Sequence, residues 1–236
     1  MNNIEEFIYN SGLSGSIDIL DREFISDCLD EPERELEKLV FESKRISSDL
    51  YDFNNEITKM SEIYFHKIKE FSDNVKKYND TLVSDGIWGD KAEDDDKRRE
   101  RLGTFNAFVS KLDNIKTSLD AINIDLFKIE ELRFQITFLE RKCFLMELVL
   151  KEKSINNTKI ACICEKISAT DEKLNEAENS NSSFLFISLN NSKHISNYLK
   201  NLGKCVDPLK KSTKINIHDI RNLNLAVITA LETSLH

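Results

Sequence analysis

Cys162 and Cys164 stand two residues apart, the nearest this sequence comes to a metal or redox motif. A structural zinc site needs two pairs of Cys or His donors, usually a C-x-x-C and a second pair at matching distance, because four ligands must close a tetrahedron. Here the nearest histidine is His194, and no second pair exists. On a helix, residues two apart are turned by about 200°, so the sulfurs would diverge. The pair reads as two small, half-buried side chains. His66, His194, His218 and His236 show neither H-x-x-x-H nor H-E-x-x-H spacing. Asp94, Asp95 and Asp96 are consecutive. They lack the alternation of a calcium loop and read as solvated charge.

Lys97, Arg98, Arg99 and Arg101 form a short basic cluster that could act as a nuclear-import signal or touch phosphate. Asp90, Glu93 and the three aspartates beside it offset its field. No glycine-rich phosphate cradle and no G-x-S-x-G elbow occurs. Trp88, flanked by Gly86 and Gly89, has two readings: an exposed binding anchor, or a ring packed over the tip of a hairpin. No catalytic, cofactor-binding or metal-ligating set emerges, so a non-catalytic role is expected.

The elements that would position any site are far clearer. A largely apolar row recurs in steps of three and four from Leu36 through Leu39, Ser43, Ile46, Leu50, Phe53, Ile57, Met60, Tyr64, Ile68, Phe71, Val75 and Tyr78 to Leu82. A second stripe runs Ile115, Leu119, Ile122, Leu126, Ile129, Leu132, Ile136, Leu139, Cys143, Met146 and Leu150. Such steps keep side chains on one helical face, which needs another helix to lie against. The expected fold is all-α and elongated. Two long, coiled-coil-like antiparallel helices precede shorter helices that form a bundle.

The division along the chain follows from its breakers. Residues 1–30 form an N-terminal docking segment in which Gly12 and Gly15 end a first helical piece. Pro32 suits a first helical position and opens a helical hairpin over 31–153, with its first helix ending near Ser84. Glu33 and Glu35 favour the positive end of that helix. Between Ile57 and Phe71 the steps read three, four, four, three, a phase shift that relaxes a left-handed supercoil locally. Residues 84–101 are the reversal loop, and helix resumes near Gly103 and continues to about Lys153. The C-terminal helices of 154–236 are expected at about 159–177, 183–202 and 216–234. A polar linker, EAENSNSS, separates the first two, and Gly203 caps the second.

Composition narrows the function classes. Lys and Arg number 33 against 42 Asp and Glu, a formal charge of −9, so the chain has no general attraction for nucleic acid or anionic lipid. Five cysteines, an odd count, and a start without a secretory pattern imply reduced thiols in the cytosol. No window reaches the roughly 20 apolar residues of a membrane span. Membrane association is expected only indirectly, through partners.

The stretch Asp21 to Phe41 reads DREFISDCLDEPERELEKLVF: an acid, then Phe24-Ile25, then Cys28-Leu29, then a charged, leucine-studded helix. It resembles the N-terminal entry of subunits of multisubunit vesicle-tethering complexes, the conserved oligomeric Golgi complex and exocyst type. In that family a short acidic-aromatic segment precedes long helices that bundle subunits together. The resemblance implies a structural subunit of a cytosolic tethering complex, peripheral at Golgi membranes, whose partners are other long helical subunits. Phe24, Ile25 and Leu29 would dock on a neighbour. Leu36, Leu39, Ile46, Leu50, Phe53, Ile57, Ile122, Leu126, Ile129 and Ile136 would line a groove for a partner helix. The alternative is a coiled-coil subunit of a nuclear kinetochore or spindle complex, toward which the basic cluster leans. A helical enzyme or ligand carrier would instead need a polar pocket in its core.

Overall fold

A computed structural model describes residues 3–13, 15–84, 95–122, 126–210 and 217–234. Seven helices account for nearly all of them, and no strand occurs among the described residues. They are α1 (Asn3–Asn10), α2 (Ile19–Asp30), α3 (Pro32–Ser84), α4 (Asp95–Asp120), α5 (Leu126–Glu152), α6 (Thr158–Lys210) and α7 (Ile217–Glu232). The all-α expectation holds.

Local chemistry sets the ends. Gly12 takes a left-handed φ of +71°, and the amides of Gly12 and Leu13 reach back to the carbonyls of Tyr9 and Ile8, closing α1. Asp18 caps α2 by accepting from the Asp21 amide at 2.8 Å. Pro32 opens α3, where its missing N–H would have had no partner. At the end of α5, Ser154 adopts φ +54°, and the amide of Ile155 donates to the Leu150 carbonyl at 2.9 Å.

The chain forms two compact units. The first comprises residues 1–56 and 125–180. In it Lys142 of α5 donates to Glu42 of α3, Arg133 of α5 to Asn175 and Glu178 of α6, and Cys164 of α6 to Glu147 of α5. The Ser47 and Thr170 hydroxyls meet at 3.0 Å. These pairings run α5 antiparallel to both α3 and α6. The core takes Leu36, Leu39, Ile46 and Leu50 from α3, Leu132, Ile136, Leu139 and Met146 from α5, and Ile163, Ile167 and Leu174 from α6. α2 packs along the C-terminal half of α5, and α1 packs on α2.

The second unit comprises residues 57–124 and 181–236. Tyr78 of α3 stacks on Phe108 of α4 with ring centroids 4.0 Å apart, and Phe71 meets Tyr198 of α6 edge-on. Lys76 pairs with Glu232 of α7, and Tyr198 bonds Asn224 of α7. α3 and α6 run one way in this four-helix arrangement, α4 and α7 the other.

Several expected boundaries are corrected. The second long helix is two helices: α4 ends at Asp120, and Ile122 lies outside any helix. The Ile122 amide turns back to the Leu119 carbonyl at 3.1 Å, a tightened last turn, and the sequence from Asp120, DAINID, carries three residue positions of poor helix propensity. Helix resumes at Asp95 rather than Gly103; residues 85–94 of the expected loop, with Trp88, lie outside the described residues. The linker EAENSNSS is helical, joining two expected helices into α6. The reason is a row of Thr170, Leu174, Ala177, Asn181, Phe184, Asn191, Ile195, Tyr198 and Leu202, buried throughout at steps of three, four and seven. Gly203 and Pro208 lie inside this helix rather than capping it or following it.

Candidate helix-docking surface

α5 carries two apolar rows. The first, Ile129, Leu132, Ile136, Leu139, Cys143, Met146 and Leu150, fills the core of the first unit. The second runs Phe127, Phe134, Phe138, Leu145 and Val149, in steps of seven, four, seven and four, which keep one face. Its C-terminal members, Leu145 and Val149, are buried where α2 packs. Its N-terminal members are not: Phe127 is 80 % exposed, Phe134 72 % and Phe138 37 %. The Phe134 and Phe138 rings lie parallel, 6.3 Å between centroids.

Ionic contacts fasten α2 over the covered half. Arg141 Nη2 donates to Asp21 Oδ2 at 2.9 Å and to the Ser16 carbonyl at 2.9 Å. Lys153 donates to the Leu29 carbonyl at the far end. Lys142 lies between the two halves, 5.5 Å from the centroid of the Phe24 ring of α2 and 4.8 Å from that of Phe138. Beside the exposed half, Asp49, Asp52, Phe53 and Glu56 of α3 share a groove of about 270 Å³ with Lys128 of α5.

The residues singled out in the sequence fall mostly inside. Ile25, Leu36, Leu39, Ile46, Leu50, Phe53, Ile129 and Ile136 are buried in the first unit, and Ile57 in the second. Phe24 and Leu29 are half-buried on α2, and Ile122 is half-buried beyond the end of α4. The side chain of Leu126 lies outside the described residues. What sequence reasoning passed over was the second row of α5: three phenylalanines at heptad spacing, hidden by the stronger stripe on the same helix.

Of the chemically suggestive pair, Cys162 is exposed rather than half-buried as expected, and Cys164 is half-buried; neither is in a disulfide. Burial pushes the thiols of Cys28 and Cys143 up to about 12, with neighbouring carboxylates adding to the effect at each. Cys164 is raised too, by burial and then by its hydrogen bond to Glu147. These thiols stay protonated near neutral pH, where neither nucleophilic attack nor zinc ligation is favoured. No cluster of three His, Cys, Asp or Glu able to hold a metal occurs among the described residues. In the second unit Tyr64, Leu119, Asp120, Ser188 and Ile195 line a cavity of about 180 Å³. Burial raises the Tyr64 phenol to about 12, leaving it a neutral donor, 3.4 Å from the Ser188 carbonyl. Arg101 of the basic cluster is buried. No helix among the described residues is long and apolar enough to cross a membrane. No protein-family model, no curated protein and no solved structure matches the chain.

Proposed function

We propose that this chain is a non-catalytic structural subunit of a cytosolic multisubunit vesicle-tethering complex, acting through helix–helix assembly with other long helical subunits. Its helices would form an elongated, coiled-coil-like rod, held at Golgi membranes only through its partners. One observation carries the assembly role: α5 leaves an aromatic row exposed at heptad spacing while its other row fills a core. A solvent-facing phenylalanine such as Phe134 costs about 2 kcal/mol relative to burial, which a partner helix would recover. The tethering address rests on the resemblance of Asp21–Phe41.

The test is affinity purification of the tagged chain at native expression, with mass spectrometry of what accompanies it. A stoichiometric set of long helical tethering subunits is expected. Recovery with kinetochore or spindle subunits would overturn the address, and recovery of a monodisperse single chain would overturn assembly itself.

A further inference from the structure

The exposed half of the second α5 row is the continuation of an interface the chain already makes. α2 covers Leu145 and Val149 on that row, and Lys142 links the Phe24 ring at the edge of α2 to Phe138, where the cover stops. Phe134 and Phe138 therefore present an aromatic seam of the same register, open along the N-terminal half of α5. The charges around that seam have a sign. The cations nearest it are engaged: Arg141 with Asp21, Lys142 with Glu42, Lys128 with Glu131, and Arg133 with Glu178. Along the adjoining face of α3, Asp49, Asp52 and Glu56 line the groove that Lys128 shares, with Arg45 and Lys59 one turn beyond them at either end of the row, and Glu130 adds an exposed carboxylate on α5.

We propose that Phe134 and Phe138 form a docking seam for an amphipathic helix of another protein, one with an apolar stripe flanked by Lys and Arg. The helix would extend along α5 the cover that α2 provides over Leu145 and Val149. A second copy of this chain is disfavoured on two counts. Its own seam would bring like charges together. The few phenylalanines expose only a few hundred Å², well short of the roughly 800 Å² per side of a stable dimer. A basic helix gains both the apolar contact and complementary charge at the acidic edge. This inference rests on reading the chain as an assembly subunit.

The experiment titrates the full chain into two fluorescently labelled helical peptides of about three heptads, both with leucine at the a and d positions. One carries Lys at the flanking e and g positions, the other Glu. Binding of the Lys peptide at least about tenfold tighter than the Glu peptide is expected. Phe134→Ser should weaken it about tenfold at unchanged protein charge, and Asp49→Asn with Asp52→Asn should erase the preference for Lys. Both sites are on the surface, and an unchanged thermal melt would show that the variants fold. Three results would overturn the proposal. They are equal binding of both peptides, Lys-peptide binding indifferent to Phe134→Ser, and a wild-type dimer in sedimentation that Phe134→Ser makes monomeric. Peptide failure with tethering subunits still co-purifying removes this seam alone. Peptide success without those subunits keeps the seam and removes the tethering address.

Discussion

The hydroxyl of Tyr198 is buried in the second unit and donates to Asn224 Oδ1 at 2.7 Å, while Asn224 Nδ2 reaches Asn79 Oδ1 at 3.4 Å. Phenylalanine at 198 keeps the ring and strands a buried carbonyl oxygen. Tyr198→Phe should therefore cost about 1–2 kcal/mol, read from urea midpoints. Ser154 is a non-glycine residue in the left-handed region, at φ +54°, at the end of α5. Ser154→Gly removes that strain and should raise stability by about 1 kcal/mol in the same assay. Buried acids add a pH dependence. Cys28 and Cys143 are raised from 9.0 to about 12, and Tyr64 and Tyr78 from 10.0 to about 12, each by burial. Raised values favour the protonated native form. Its stability is whole below the unfolded values and is lost as pH climbs through the native ones. The urea midpoint should hold steady to about pH 8.5 and fall between about 9 and 12, and Cys28→Ser should reduce the early part of that fall.

Among the elements, α4 and α6 each contain an interior glycine where helix propensity alone favours alanine. A Cβ built at Gly103 or Gly203 meets nothing within 4 Å. Gly103→Ala and Gly203→Ala should each stabilise by about 0.5–1 kcal/mol, measured by thermal or urea unfolding. α2 has no long stripe and depends on its fastening to α5. Arg141→Ala removes the ion pair with Asp21 and the bond to the Ser16 carbonyl. Both side chains are partly exposed, so the global cost should be about 1 kcal/mol, with amide exchange rising mainly over residues 19–30. α6 shows where reading a sequence goes astray. Asn181 and Asn191 occupy heptad positions in the buried row, and a linker is inferred when polar residues at such positions are counted as breaks. Asn181 keeps both amide atoms without a hydrogen-bond partner, so nothing in its chemistry announces its burial.

For the whole molecule, most of the sites chosen from the stripes are buried as core. Leu50 and Ile57 are only 2 % and 7 % exposed, so aspartate at either would unfold its own unit before it tested a partner. Surface substitutions at Phe134 separate the two effects. Core truncation gives the converse control: Leu132→Ala in the first unit should cost about 2–4 kcal/mol and raise exchange along α2 and α5 together. A net charge of −9 sets the sign of long-range steering, consistent with a basic rather than an acidic partner.

Periodicity, caps and breakers are local, so the chain by itself determined its helical class, the span of α3 from Pro32 to Ser84 and the end of α1 at Gly12. Steps of three and four place side chains on a common face whatever lies beyond it. Which face is covered depends on which helices adjoin, and that is a matter of long-range packing. Only the tertiary structure decided that α5 turns one row into the core and leaves Phe134 in solvent. It alone joined 158–210 into one helix by burying asparagines among apolar neighbours, and parted α4 from α5 where a continuous stripe predicted one rod.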